Sequence, residues 1–75
     1  MITNTRKGNR IGVNRNGQPV GYAVRTNRTK QPEQWTAFVY TELPPFDVAR
    51  PGFTNADAVV AFIGEHGRTP DHLKR

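Results

Sequence analysis

Two short alternations of apolar and polar residues, one strongly apolar run and one helical stripe organise this chain. In Arg10 to Asn14, Ile11 and Val13 alternate with polar neighbours. In Val20 to Thr26, Val20, Tyr22 and Val24 point one way and Gly21, Ala23 and Arg25 the other. Asn16-Gly17 between them suits a type I′ turn, whose two central residues both take φ > 0. Pro19 opens the return strand, where a missing N–H does least harm. Trp35 to Thr41 (WTAFVYT) is rich in β-branched and aromatic residues and is the strongest strand signal. Trp35 and Val39 share one face of it, Phe38 and Tyr40 the other. Such a strand is central in its sheet, or its outer face contacts something. The stripe is Ala56, Val59, Val60 and Ile63, at i, i+3, i+4 and i+7, widened by Phe62. It opens on Thr54-Asn55-Ala56-Asp57, which resembles a capping box, and it closes at His66 with Gly67 as the stop.

The remaining segments have no such period. Residues 1–9 are polar and basic and are expected to form a flexible arm. Asn27 to Gln34 is a polar loop. Glu42 to Phe53 contains three prolines and one glycine and is expected to be a long connection without a helix. Residues 68–75 are expected to be a frayed tail. The predicted fold is α+β: a three-stranded antiparallel sheet packed by one helix from the C-terminal half, forming a single small domain over 10–67 with the arm and tail outside it. The expected core is Ile11, Val13, Val20, Tyr22, Val24, Ala37, Val39, Phe53, Val59, Val60 and Ile63. Either the Trp35/Val39 face or the Phe38/Tyr40 face lies under the helix, because a one-residue slip exchanges them.

Charge adds what the pattern cannot. From Met1 to Pro32 there are seven basic residues and no acidic one. From Glu33 to Arg75 there are four basic and six acidic, so the net +5 divides as +7 and −2. A field this lopsided attracts a polyanion to one end. The 75 residues include no cysteine, which removes disulfides and thiolate zinc sites, and no serine, which removes every serine nucleophile. No run approaches the roughly 20 apolar residues of a membrane span, and the N-terminus lacks an apolar signal-peptide core. The expectation is a cytoplasmic protein of bacterial or phage type that uses no membrane and no cofactor and is a monomer or weak homodimer.

The candidate nucleic-acid contacts are Arg6, Lys7, Arg10, Arg15, Arg25, Arg28 and Lys30, with Asn9, Asn14, Asn16 and Asn27 as neighbouring donors. Spread along a hairpin, they would form a stripe some 20–30 Å long at ~3.3 Å per residue, matching several phosphates. Five engaged phosphates would give a slope of log affinity against log salt near −4 to −5, at ~0.9 each. Trp35, Phe38 and Tyr40 are candidate partner contacts, since aromatics on an open sheet face stack bases or anchor a protein, although so short a chain needs aromatics in its core. His66 and His72 lack the further ligands a zinc site needs, and Asp57 and Glu65 are too far apart for a carboxylate pair. No catalytic set and no metal site is expected.

Trp35-Thr36-Ala37-Phe38-Val39, a loop, and Phe53-Thr54 opening a helix with Ala56 and Ala58 resemble the sheet-plus-helix DNA-binding domains of the integrase arm-binding type. In those the sheet enters the major groove and its arginines read bases. The expected function is nucleic-acid binding, duplex DNA before RNA, through the arm and first hairpin. The rival is a regulator or inhibitor, as mobile elements encode, that presents an exposed strand edge, aromatic face or Pro-rich loop to a larger host protein, or its basic face to an acidic protein surface. A toxin-type RNase using His66 or His72 is a third class.

Overall fold

A computed structural model describes residues 1–27 and 30–74. The alternation over 10–25 folds as β2 (Arg10–Arg15) and β3 (Gln18–Arg25), joined at Asn16-Gly17 with φ of 53° and 81° as a type I′ turn requires. The aromatic run is β4 (Trp35–Tyr40) and the stripe is α1 (Ala56–His66). Two further strands flank these. β1 (Ile2–Lys7) pairs with β2, and β5 (Asp47–Phe53) pairs with β4. The sheet is therefore five-stranded and antiparallel in the order β1-β2-β3-β4-β5, with β4 inside it.

The α+β class stands, but the three-stranded sheet, the flexible arm and the long connection are corrected. Residues 1–9 are an edge strand and its turn, because β1 finds the free N–H and C=O row of β2. Gly8, at φ 59°, opens the two-residue Gly8-Asn9 link between Lys7 and Arg10. Asp47 to Phe53 of the expected connection form β5, and Pro51 is tolerated there because β5 is the other edge. The tail is also tied down as far as it is described. Thr69 and Pro70 are buried, Arg68 N–H donates to the Tyr40 carbonyl (2.9 Å), and the Thr69 hydroxyl donates to the Pro19 carbonyl (2.9 Å). A 3-10 turn follows at Asp71–Leu73. Arg75, the last residue of the expected tail, lies outside the described residues.

One face of the sheet carries α1, which lies chiefly over β3 and β4. Ile11, Val13, Val20, Ala23, Trp35, Ala37, Val39, Val59 and Ile63 form the buried core between them. Val59 and Ile63 are fully buried, each worth roughly 1.5–3 kcal/mol. That sum is comparable to the whole stability of so small a domain, so the helix is held by packing more than by propensity. Its N-cap is Asn55, one residue later than Thr54, with Asn55 Oδ1 accepting the Ala58 N–H at 2.7 Å. At the other end Arg15 Nη1 donates to the Gly64 carbonyl (2.9 Å), a favourable place for a cation. Among the described residues no helix is long and apolar enough to cross a membrane.

The face of β4 left open by the sequence is settled: Trp35, Ala37 and Val39 lie under α1 and Phe38 and Tyr40 do not. Tyr22 and Val24, expected in the core, lie on the opposite face, half-buried. The cause is a bulge. Asn14 pairs with Pro19 but Val13 pairs with Gly21, so Val20 is an extra residue in β3. Val20 and Gly21 both serve the helix side, and every later residue of β3 changes face. Phe53 and Val60 are only half-buried, packed against the core from outside.

Candidate nucleic-acid interface

The face of the sheet away from α1 is built in rows. One row crosses all five strands: Thr5 opposite Gly12, Gly12 opposite Tyr22, Tyr22 opposite Phe38 and Phe38 opposite Ala49. Two large rings stand at its centre with small residues on either side. The Tyr22 and Phe38 ring centroids are 4.8 Å apart with planes 12° from parallel. That separation equals the spacing of neighbouring strands, so the rings rise from the sheet side by side, face to face. The Arg10 guanidinium lies 4.3 Å from the centroid of Tyr22. Tyr40 meets Tyr22 edge-on at 6.0 Å. A stacked pair contributes about 0.5–1.5 kcal/mol and an exposed cation–π contact about 0.5–1 kcal/mol, enough to hold this group in order on an open surface. Burial first, then Tyr22 and Asp47, raise the pKa of Tyr40 against the opposing pull of Arg10. Its phenol therefore remains a hydrogen-bond donor at neutral pH.

The six described basic residues of the expected contact set do not form one stripe. Lys7 and Arg10 are exposed and, among the described residues, neither has a carboxylate partner. Register places both on the open face, beside the ring pair. Arg6 is on the helix side, its guanidinium 5.1 Å from the Trp35 ring centroid and its Nε donating to the Gly8 carbonyl (3.2 Å). Arg15 is engaged with the end of α1. Arg25 is engaged three times, with Asn27 Oδ1 (3.1 Å), Glu33 Oε2 (3.4 Å) and the Lys30 carbonyl (2.8 Å). Lys30 is exposed beside it. Arg28 lies outside the described residues. Trp35 is 1% exposed and offers no surface to a partner, whereas Phe38 and Tyr40 are half-buried on the open face.

Gly12 and Ala49 belong to this surface and were not among the residues read as candidates, and Tyr22 joins them although alternation put it in the core. The bulge hid Tyr22, and Ala49 sits in a strand whose only visible sign was proline. The strands as a whole remain strongly basic. They carry Arg6, Lys7, Arg10, Arg15, Arg25 and Arg50, against Asp47 as the one acid.

Two clefts of about 220 Å³ each lie elsewhere. One, between β4, β5 and the end of α1, is lined by Val39, Thr41, Val48, Arg50, Phe62 and His66, and the other sits around Thr36, Pro51 and Phe53. The first is mostly apolar and neither contains a paired acid and base. His66 rests on Phe62 (4.6 Å between centroids) and His72 on Phe46 (4.9 Å). Among the described residues no three of His, Cys, Asp and Glu gather as a metal site would need.

Comparison of the chain with protein-family models, with curated proteins and with solved structures finds no match. The likeness to three-stranded DNA-binding domains also parts from this chain at the strand count, since β1 and β5 extend the sheet on both sides.

Proposed function

We propose that this protein binds nucleic acid on the open face of its sheet, as a cytoplasmic binding module without catalytic chemistry. The observation that carries the reading is the position of Lys7 and Arg10. Two cations with no carboxylate partner among the described residues stand on a face whose strands hold a single acid, next to an ordered group of three aromatic rings. Cations without a carboxylate partner are available to phosphates, and aromatic neighbours are what nucleic-acid surfaces combine with them. Arg15 and Arg25 already have internal partners and drop out of the contact set, which shortens the expected stripe.

The fewer contacts change the expected salt dependence. Lys7 and Arg10 alone give a slope of log affinity against log salt of about −1.4, and adding the exposed Lys30 gives about −2.1, at ~0.7 per single-strand phosphate. Reversing both charges with Lys7→Glu and Arg10→Glu should weaken binding about a hundredfold or more, since each removes a charge-assisted contact of roughly 1.5–3 kcal/mol. Fluorescence anisotropy of a labelled mixed-sequence oligonucleotide, at 50 and 200 mM salt, measures both. Equal binding by the double variant and the parent protein would rule this surface out.

The protein-partner reading keeps one specific observation. Leu43 and Phe46, in the loop between β4 and β5, are 75% and 36% exposed. They lie away from the cations, and a pull-down lost on Leu43→Ser but kept on the double charge reversal would favour that reading instead.

A further inference from the structure

We infer that the open face takes an unpaired nucleobase against Phe38, in the space above Ala49, so that the ligand is single-stranded; this inference rests on the nucleic-acid reading. The central row explains the choice. Gly12 and Ala49 flank the Tyr22–Phe38 pair and neither has a side chain tall enough to cover a ring. On the Gly12 side, the Arg10 guanidinium covers Tyr22. On the Ala49 side, no ring and no cation is stacked on Phe38 among the described residues, and Ala49 is exposed. The stack of guanidinium, phenol ring and phenyl ring therefore ends on an aromatic face beside a gap.

A planar ring continues that stack. A base in a duplex has both faces covered by its neighbours and offers only its edge, so only an unpaired base can lie on Phe38. Thr36 and Tyr40, two residues to either side of Phe38 on the same face of β4, place two hydroxyls near the edge of such a base. The cations stand on the opposite side of the row. From β2 to β5 is three strand spacings, about 14 Å, so a strand held by Lys7 and Arg10 crosses the sheet to reach the gap. The site thus reads phosphate at one side and base at the other, with no requirement for a particular base.

Four labelled 12-mers separate the possibilities by anisotropy at one low salt concentration: oligothymidylate, oligouridylate, an abasic DNA strand of equal length, and a mixed-sequence DNA duplex. The parent protein should bind oligothymidylate or oligouridylate at least about fivefold tighter than the abasic strand and the duplex, the lower end of what base–aromatic stacking supplies. Ala49→Leu fills the gap without touching a cation, and Phe38→Leu removes the ring. Each should bring the pyrimidine strand down to abasic affinity, leave abasic binding unchanged, and keep the far-ultraviolet circular dichroism of the parent. Abasic or duplex binding as tight as the pyrimidine strands, or an unaffected Ala49→Leu, would overturn the base site while leaving phosphate binding in place. Failure of all four ligands to bind would instead remove the nucleic-acid reading itself.

Discussion

Replacement of Trp35 by alanine will leave the domain largely unfolded at 25 °C. Trp35 heads the set of largest fully buried side chains, 1% exposed, and lies on the interior strand β4 under α1. Its indole N–H donates to Glu33 Oε1 at 2.9 Å, while the other oxygen of that carboxylate accepts from Arg25 at 3.4 Å. Arg6 covers the ring from β1. One side chain thus joins the core, the loop before β4 and the edge strand. Truncating a buried Trp costs about 3–5 kcal/mol. A chain of this size, without disulfides, has about 5 kcal/mol to lose. Circular dichroism during urea titration gives the result directly, with Trp35→Phe as the comparison. The phenylalanine variant keeps most of the ring contacts, loses the hydrogen bond to Glu33, and should stay folded with a lower midpoint. A cooperative transition in Trp35→Ala within a few tenths of a molar of the parent midpoint would contradict this account of the core.

Gly67→Ala should be nearly as damaging, for a different reason. Gly67 follows α1 with φ −68° and ψ 150°, a conformation open to any residue, so its role is not conformational freedom. A Cβ there would overlap the Val20 carbonyl oxygen and approach the Val20 Cβ (2.7 Å) and the Ile63 carbonyl oxygen (2.8 Å). Two of these three are backbone atoms and the third is fixed by the bulge of β3. None can move without parting the helix end from the sheet. The same residue donates its N–H to the Ile63 carbonyl (2.8 Å), and the chain then crosses to β4 through the bond from Arg68 to Tyr40. Overpacking costs typically 1–3 kcal/mol, and a clash with backbone belongs at the top of that range or above it. Gly12→Ala is the control, because a Cβ at Gly12 meets nothing within 4 Å. Thermal melts of the two variants should differ by well over 10 °C, given a shift of ~4–8 °C per kcal/mol in a domain this small. Equal melting temperatures would mean that the contact of Gly67 with Val20 is not what closes the fold.

The elements that were legible in the sequence are those with one buried face and a recognisable end. Ile11 and Val13, Asn16-Gly17, and the stripe from Ala56 to Ile63 each produced the strand, turn or helix their pattern implied. β1 was hidden because all six of its residues are exposed and edge strands need no apolar alternation. Its sign was the Gly8-Asn9 pair, a two-residue hairpin signal without hydrophobic neighbours to announce it. β5 was hidden by Pro51, which an edge position tolerates, and by an inner face of only Val48, Arg50 and Phe53. The tail gave no period at all, yet Thr69 and Pro70 are buried and the Thr69 hydroxyl donates to the Pro19 carbonyl of β3.

The candidate site was legible in part. Lys7 and Arg10 stood out as cations and Phe38 and Tyr40 as strand aromatics, but nothing in the spacing joined them. Alternation counted through Val20 put Tyr22 in the core, and a single extra residue in β3 moved it to the open face beside them. Likewise Arg15 and Arg25 looked equivalent to Lys7 and Arg10 until their partners Gly64 and Glu33 were in place, both remote in sequence or across a loop. Which cations are free is a property of the folded chain and not of its composition.

The most direct test of the open-face account is a two-dimensional amide spectrum of the protein titrated with single-stranded oligothymidylate. Shifts are expected along Thr5, Gly12, Tyr22, Phe38 and Ala49 and at Lys7 and Arg10, with the amides of α1 from Ala56 to His66 unmoved. Shifts confined to α1 or to the loop around Leu43 and Phe46, or a spectrum unchanged at saturating ligand, would contradict it.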